Sequence, residues 1–210
     1  MSNPLKALWL GIFFLVLAWS AIHPRDYPTW SLEVAPAVAG MLMIVFTYKR
    51  FRLTPLLYWL ILAHCVVLMV GGHYTYAEVP LFDYLKPVFG WERNNYDKLG
   101  HFMQGFVPAV LAREILIRRA VVASATWRNL FIVSICLAFS AFYELIEWWV
   151  AVLTGTASEA FLGTQGYIWD TQSDMLWALL GAIAALVSLS GLHDRQLAGL
   201  RGERGKKTGN

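Results

Sequence analysis

The chain alternates six long apolar runs with short polar ones. The runs cover about residues 5–22, 32–48, 54–73, 97–117, 128–151 and 170–192. Each falls near the roughly 17–25 apolar residues that an α-helix needs to cross a bilayer. A helix satisfies its own backbone in lipid, so the pattern predicts an all-α polytopic transmembrane bundle of about six membrane-spanning helices. The second run follows a proline-bounded turn at 23–28, and Pro36 falls in its first turns, where proline is tolerated. The fourth opens after Asn94-Asn95-Tyr96, which places Asp97 at or near a helix N-terminus, where a carboxylate meets the positive end of the dipole. The sixth opens at Trp169-Asp170 with the same logic. Residues 1–198 read as one integral membrane domain and 199–210 as a polar, glycine-rich, basic cytoplasmic tail.

Two connecting stretches stand out. Residues 74–96 mix Tyr74, Tyr76, Phe82, Tyr84, Phe89 and Trp91 with Pro80, Pro87 and acids, which suits a segment lying in the interface or folding back over the bundle. Residues 153–168 carry Gly155, Gly163, Gly166 and Gln165, a flexible polar loop of a kind that covers a site.

Composition supports the membrane reading. The chain is 58% hydrophobic and 15% charged, with a mean hydropathy of +0.50, whereas soluble domains carry about 25% charged residues. Trp9, Trp30, Trp91, Trp127, Trp148, Trp149 and Trp169 lie near run ends, as interfacial aromatic belts require. Cys65 and Cys136 sit inside apolar runs and imply no disulfide. There is no G-x-S-x-G, Walker loop or H-E-x-x-H, and no basic–aromatic pattern for nucleic acid.

The distribution of charge sets orientation. One set of flanks holds twelve basic residues: Lys6; Lys49, Arg50 and Arg52; Arg118, Arg119 and Arg128; and Arg195, Arg201, Arg204, Lys206 and Lys207. The opposite loops hold Arg25, Lys86 and Arg93, with Lys98 at a helix start. The positive-inside rule then predicts a multi-pass inner (plasma) membrane protein with both termini cytoplasmic and the loops 23–31, 74–96 and 153–169 on the outer side. Ala18-Trp19-Ser20 loosely resembles a signal cleavage site, but a single basic residue precedes a long apolar run, which favours an uncleaved anchor.

Five of the 14 acidic residues lie inside or at the edge of three runs. They are Asp97, Glu144, Glu147, Asp170 and Asp174, with His101 four residues after Asp97. Ionisable side chains in membrane helices are costly and by default face a protein interior or a water-filled cavity. The i,i+4 pairs Asp97/His101 and Asp170/Asp174 and the i,i+3 pair Glu144/Glu147 each share a helix face. At 1.5 Å per residue Glu144 and Glu147 sit roughly 6–11 Å below the outer surface and His101 and Asp174 about 6 Å, in one layer. Arg93, Lys98, His101 or a bound cation would offset the carboxylates, and His73 would reach the same depth.

Three chemistries fit. A divalent-metal site would use His101, Glu144, Glu147, Asp170 and Asp174 as ligands, as facing helices do in metal-binding bundles, although the Glu-x-x-His signature is absent. A metal-free acid–base site would use His101 with Asp97, Glu144 and Asp174. A structural role needs no reaction at all. Elsewhere, Glu114/Arg118 reads as a solvated i,i+4 ion pair, His64 as a core histidine, and His23 and His193 as flank residues.

The motifs N-N-Y-D-K-L-G-H-F, F-Y-E-L-I-E-W-W and Y-I-W-D-T-Q-S-D-M carry a resemblance over nearly the full length to the YjdF family of bacterial inner-membrane proteins, which has no assigned activity. The last three helices are also distantly similar to the VanZ-like group, through Asp97-Lys98-x-x-His101-Phe102, Glu144, and Asp174 followed by Gly181. This chain lacks that group's Arg before the aspartate and has Ala178 where the group tends to carry Asn. The VanZ-like resemblance implies that Asp97, His101, Glu144 and Asp174 belong together. The expectation is an outer-leaflet site that acts on or binds a lipid headgroup or envelope precursor, with or without a divalent metal cation. A small transporter or ion-binding protein, or a non-catalytic scaffold, is the alternative.

Overall fold

A computed structural model describes residues 2–154 and 164–208. The elements are α1 (Asn3–Ser20), α2 (Tyr27–Thr47), α3 (Pro55–Tyr74), a 3₁₀ turn (Tyr76–Glu78), α4 (Pro80–Phe89), α5 (Tyr96–Arg118), α6 (Ala125–Thr154) and α7 (Asp170–Thr208). The described residues contain no strand. Helices α1, α2, α3, α6 and α7 are long and apolar enough to cross a membrane. Helix α5, with 23 residues, has the length but is too polar on average to read as a span by composition. Its placement explains this. It packs against α3, α6 and α7, and Asp97, His101, Arg113 and Glu114 are all buried. A helix sheltered by others can be polar where a lipid-facing one cannot.

The most extensive interface is α5 against α7. It depends on small residues. A Cβ on Gly105 would strike the Ala178 carbonyl, and one on Gly181 would strike the Phe102 carbonyl. Ala178, Ala182 and Ala185 continue the seam and are buried. Close backbone approach through small residues is how membrane helices gain packing energy without a hydrophobic drive. Here it brings the N-terminal turns of α5 and α7 together. The Tyr76 ring fills the space over Gly71 of α3 and Gly100 of α5, and a Cβ at either glycine would meet it. The segment after α3 therefore folds back onto the bundle, as its aromatic content predicts. In α4, by contrast, Leu81, Tyr84, Val88 and Phe89 are exposed, which suits an interfacial helix.

Two boundaries differ from the sequence expectation. Helix α2 starts at Tyr27, not near 32, because the Asp26 carboxylate accepts a hydrogen bond from the Thr29 amide at 2.8 Å, with Pro28 in the first turn. Helix α7 continues well past 192. His193 and Leu197 are buried, and Gln196 Oε1 accepts from the Leu56 amide at 2.9 Å, so the helix keeps a packed face. The stretch 155–163 of the expected covering loop lies outside the described residues.

The expected solvated pair Glu114/Arg118 is instead part of a buried network. Glu114 is fully buried and accepts from the Thr54 hydroxyl (2.8 Å), the Thr54 amide (3.1 Å) and Arg118 (2.5 Å), and meets His193 Nε2 at 3.1 Å. Arg113 in turn lies 3.1 Å from His193 Nδ1 and pairs with Asp194. A guanidinium only donates, so Nδ1 is the acceptor and the Nε2 proton goes to Glu114. His193 is thus a core residue and not a flank one. Its partners Arg113 and Glu114, both on α5, are remote in sequence.

Candidate functional site

The first turns of α5 and α7, the C-terminal half of α6 and one residue of α2 converge on His101. Asn94 fixes the entry to α5: its side chain accepts from the Tyr96 amide (3.1 Å) and donates to the Val79 carbonyl (2.9 Å) and Asp83 (3.1 Å). Gln165 pairs with the Asn94 backbone through both amide atoms, at 3.0 and 2.8 Å, which ties the approach to α7 to the start of α5. Asp97 and His101 then project from one face of α5.

The distances define the layer. His101 Nε2 lies 3.3 Å from Asp97 Oδ1 and 4.0 Å from Asp174 Oδ2. His101 Nδ1 lies 3.1 Å from Gln104 Oε1 and 3.8 Å from Glu144 Oε1. With Nδ1–H donated to Gln104, Nε2 faces the carboxylates of Asp97 and Asp174, where a ring proton or a cation must stand between acceptor and acceptor. Asp97, His101, Glu144, Asp170 and Asp174 are buried, and Glu147 is at 9% exposure. Two cations flank the layer. Arg93 bonds to Asp170 and lies 3.5 Å from Asp97, while Lys98 donates to Ser173 at 2.6 Å and approaches Asp174 at 3.9 Å. Both sit near the Tyr167 ring.

Among the described residues, two groups have metal-ligand proximity. In each of the sets Asp97/His101/Asp174 and His101/Glu144/Glu147, one ligand atom per residue lies within 4.8 Å of the others. Asp170 belongs to neither, because Arg93 engages it. Among the described residues, two buried carboxylate oxygens, Glu144 Oε1 and Asp174 Oδ1, have no hydrogen-bond partner, although Lys98 stands 3.9 Å from the second. A buried acceptor of this kind costs several kcal/mol unless a proton or cation meets it. Beside Asp170 the surface opens into a cleft of about 320 Å³ lined by Thr164, Gly166, Tyr167, Ile168, Asp170 and Thr171.

The structure adds a residue that spacing does not select. Glu33 of α2 is buried, interacts with the phenols of Tyr76 and Tyr143, and lies in the field of Asp97 and His101. Burial pushes the Tyr76 phenol well above its usual range, so it stays protonated. A lone acid in an apolar run was the available signal. His73 goes elsewhere: its Nδ1 meets the Ser20 carbonyl at 3.1 Å and its ring lies against Trp19. His64 feels the charge of His101 but belongs to neither ligand set.

An all-α, multi-pass membrane bundle with a buried carboxylate and histidine layer is the class these features define. The family model described as "Predicted membrane protein (DUF2238)" matches residues 5–195, and the chain belongs to that family. It is 49% identical over 201 residues to "Inner membrane protein YjdF" of Escherichia coli (strain K12), covering 94% of this chain and 96% of that protein. No solved structure matches the chain.

Proposed function

We propose that the layer is a divalent-cation site, opening toward the outer leaflet of the bacterial inner membrane, that binds or acts on the headgroup of a lipid or another envelope component. The observation that carries this reading is the buried Glu144 Oε1, which no hydrogen-bond donor among the described residues reaches and which lies 3.8 Å from His101 Nδ1, with Asp174 Oδ2 4.0 Å from Nε2 of the same ring. Six carboxylates surround the site (Glu33, Asp97, Glu144, Glu147, Asp170 and Asp174) against Arg93, Lys98 and one imidazole. That excess of negative charge favours a bound cation. Oxygen and imidazole donors suit magnesium, manganese, zinc or iron.

In this reading His101 is a ligand through Nε2 or a proton shuttle, and Asp97, Glu144, Glu147 and Asp174 are ligands or bases. A cation held there would polarise an anionic headgroup entering by the cleft beside Asp170. Outward placement rests on the twelve basic residues at the opposite end. A relay across the membrane is less well supported: Glu114, the next buried acid along α5, is about 20 Å from His101 at 1.5 Å per residue. The test is lipid profiling of a strain lacking this protein, complemented with wild type or with Glu144→Gln. A lipid or envelope species restored by wild type alone is expected. Identical profiles under several growth conditions would count against the proposal.

A further inference from the structure

The opposite end of the bundle carries a second arrangement, apolar within and cationic at its mouth. A cavity of about 260 Å³ is lined by Lys6, Trp9, Leu10, Met41, Ile44, Val45, Tyr48 and Tyr58. The indole nitrogen of Trp9 is already used, donating to the Tyr58 carbonyl at 2.8 Å, so it adds no free polar atom to the wall. At the mouth, Lys6 Nζ lies 5.2 Å and the Arg52 guanidinium 5.3 Å from the centre of the Tyr48 ring. Among the described residues no carboxylate pairs with either cation. The Tyr48 hydroxyl is buried, and Lys6 and Arg52 beside it only donate, so its own proton has no acceptor.

We infer that this is a binding site for an anionic phospholipid, with the phosphate between Lys6 and Arg52 and an acyl chain in the cavity. Three donors on two separate elements converge without an acceptor, and a phosphate supplies several acceptor oxygens. The cavity below offers only carbon to a ligand, which excludes a wholly polar anion as a good fit. Its rim residues Leu10 and Val45 are exposed on lipid-facing helices, so an acyl chain enters sideways from the bilayer. Helix α1 packs chiefly on α3, and a lipid here would fill the gap between α1 and α2. The site is independent of the carboxylate layer.

The test uses the purified full chain in neutral detergent, with native mass spectrometry and thermal unfolding as readouts. Phosphatidylglycerol is expected to bind at least tenfold more tightly than phosphatidylcholine of the same chains and to raise the melting midpoint; inorganic phosphate is expected to do neither. K6Q/R52Q should weaken phosphatidylglycerol binding about tenfold and Tyr48→Phe severalfold. K206Q/K207Q, with the same loss of charge, should bind like wild type. If K6Q/R52Q does not purify as one species, the single variants K6Q and R52Q give the same readout. Equal binding of the two lipids, an equal effect of inorganic phosphate, or an equal loss in K206Q/K207Q would each overturn the inference.

Discussion

His101 Nδ1 stands 3.8 Å from Glu144 Oε1 across the α5–α6 interface, and no hydrogen-bond donor among the described residues reaches that oxygen. On the other edge of the same ring, Nε2 faces Asp97 and Asp174. One imidazole therefore separates two groups of buried carboxylates supplied by three helices. Stability alone does not favour such a layer, since apolar side chains of similar volume would pack there at lower desolvation cost.

The α5–α7 crossing should be intolerant of a single methyl group. Gly105→Ala places Cβ against the Ala178 carbonyl, which has no flexible end to move. A loss of about 1–3 kcal/mol or more is expected, seen as a lower melting midpoint in detergent. Gly11→Ala, which meets nothing within 4 Å, should leave the midpoint unchanged.

The buried Glu114 network and the exposed Arg25–Glu78 pair offer a contrast. Glu114→Ala strands Arg118, His193 and the Thr54 amide, at an expected cost of about 3–5 kcal/mol. Glu78→Ala breaks a 2.8 Å pair whose side chains are 66% and 51% exposed, and should cost under about 1 kcal/mol. Similar losses for the two variants in thermal unfolding would contradict the burial assigned to Glu114.

Glu33 should matter through the buried phenols beside it. Glu33→Ala removes the carboxylate near Tyr76 and Tyr143, at an expected cost of about 1–3 kcal/mol. Glu33→Gln keeps an acceptor oxygen and should retain most of the stability. Equal melting midpoints for the two variants would show that the phenols find other partners.

Orientation is open to a direct measurement. Single cysteines introduced as Ser158→Cys and Gly205→Cys should label from opposite sides of intact cells, the first from outside. The native Cys65 and Cys136 are both buried and should not interfere. Labelling of the 205 position from outside would reverse the topology.

Much of the layer was legible because helical spacing is local. Asp97/His101, Glu144/Glu147 and Asp170/Asp174 each share a face by their spacing, and the common depth follows from counting residues from the helix ends. Glu33 has no acidic or histidine partner three or four residues away, and its partners Tyr76 and Tyr143 arrive from other elements. The burial of Glu114 was hidden for the same reason: Thr54 and His193 are 60 and 79 residues distant. Apolar periodicity marks six runs, but the early start of α2 depends on one cap, Asp26. The persistence of α7 beyond 192 depends on contacts of His193, Gln196 and Leu197 that no local pattern announces.

The central claim is that the carboxylate and histidine layer holds a divalent cation. Its most direct test is elemental analysis of the purified protein, wild type against His101→Ala and Asp174→Asn. The account predicts close to one divalent ion or more per chain in wild type and loss of most of it in both variants. Wild-type protein carrying no stoichiometric metal, or variants retaining the full wild-type content, would contradict it.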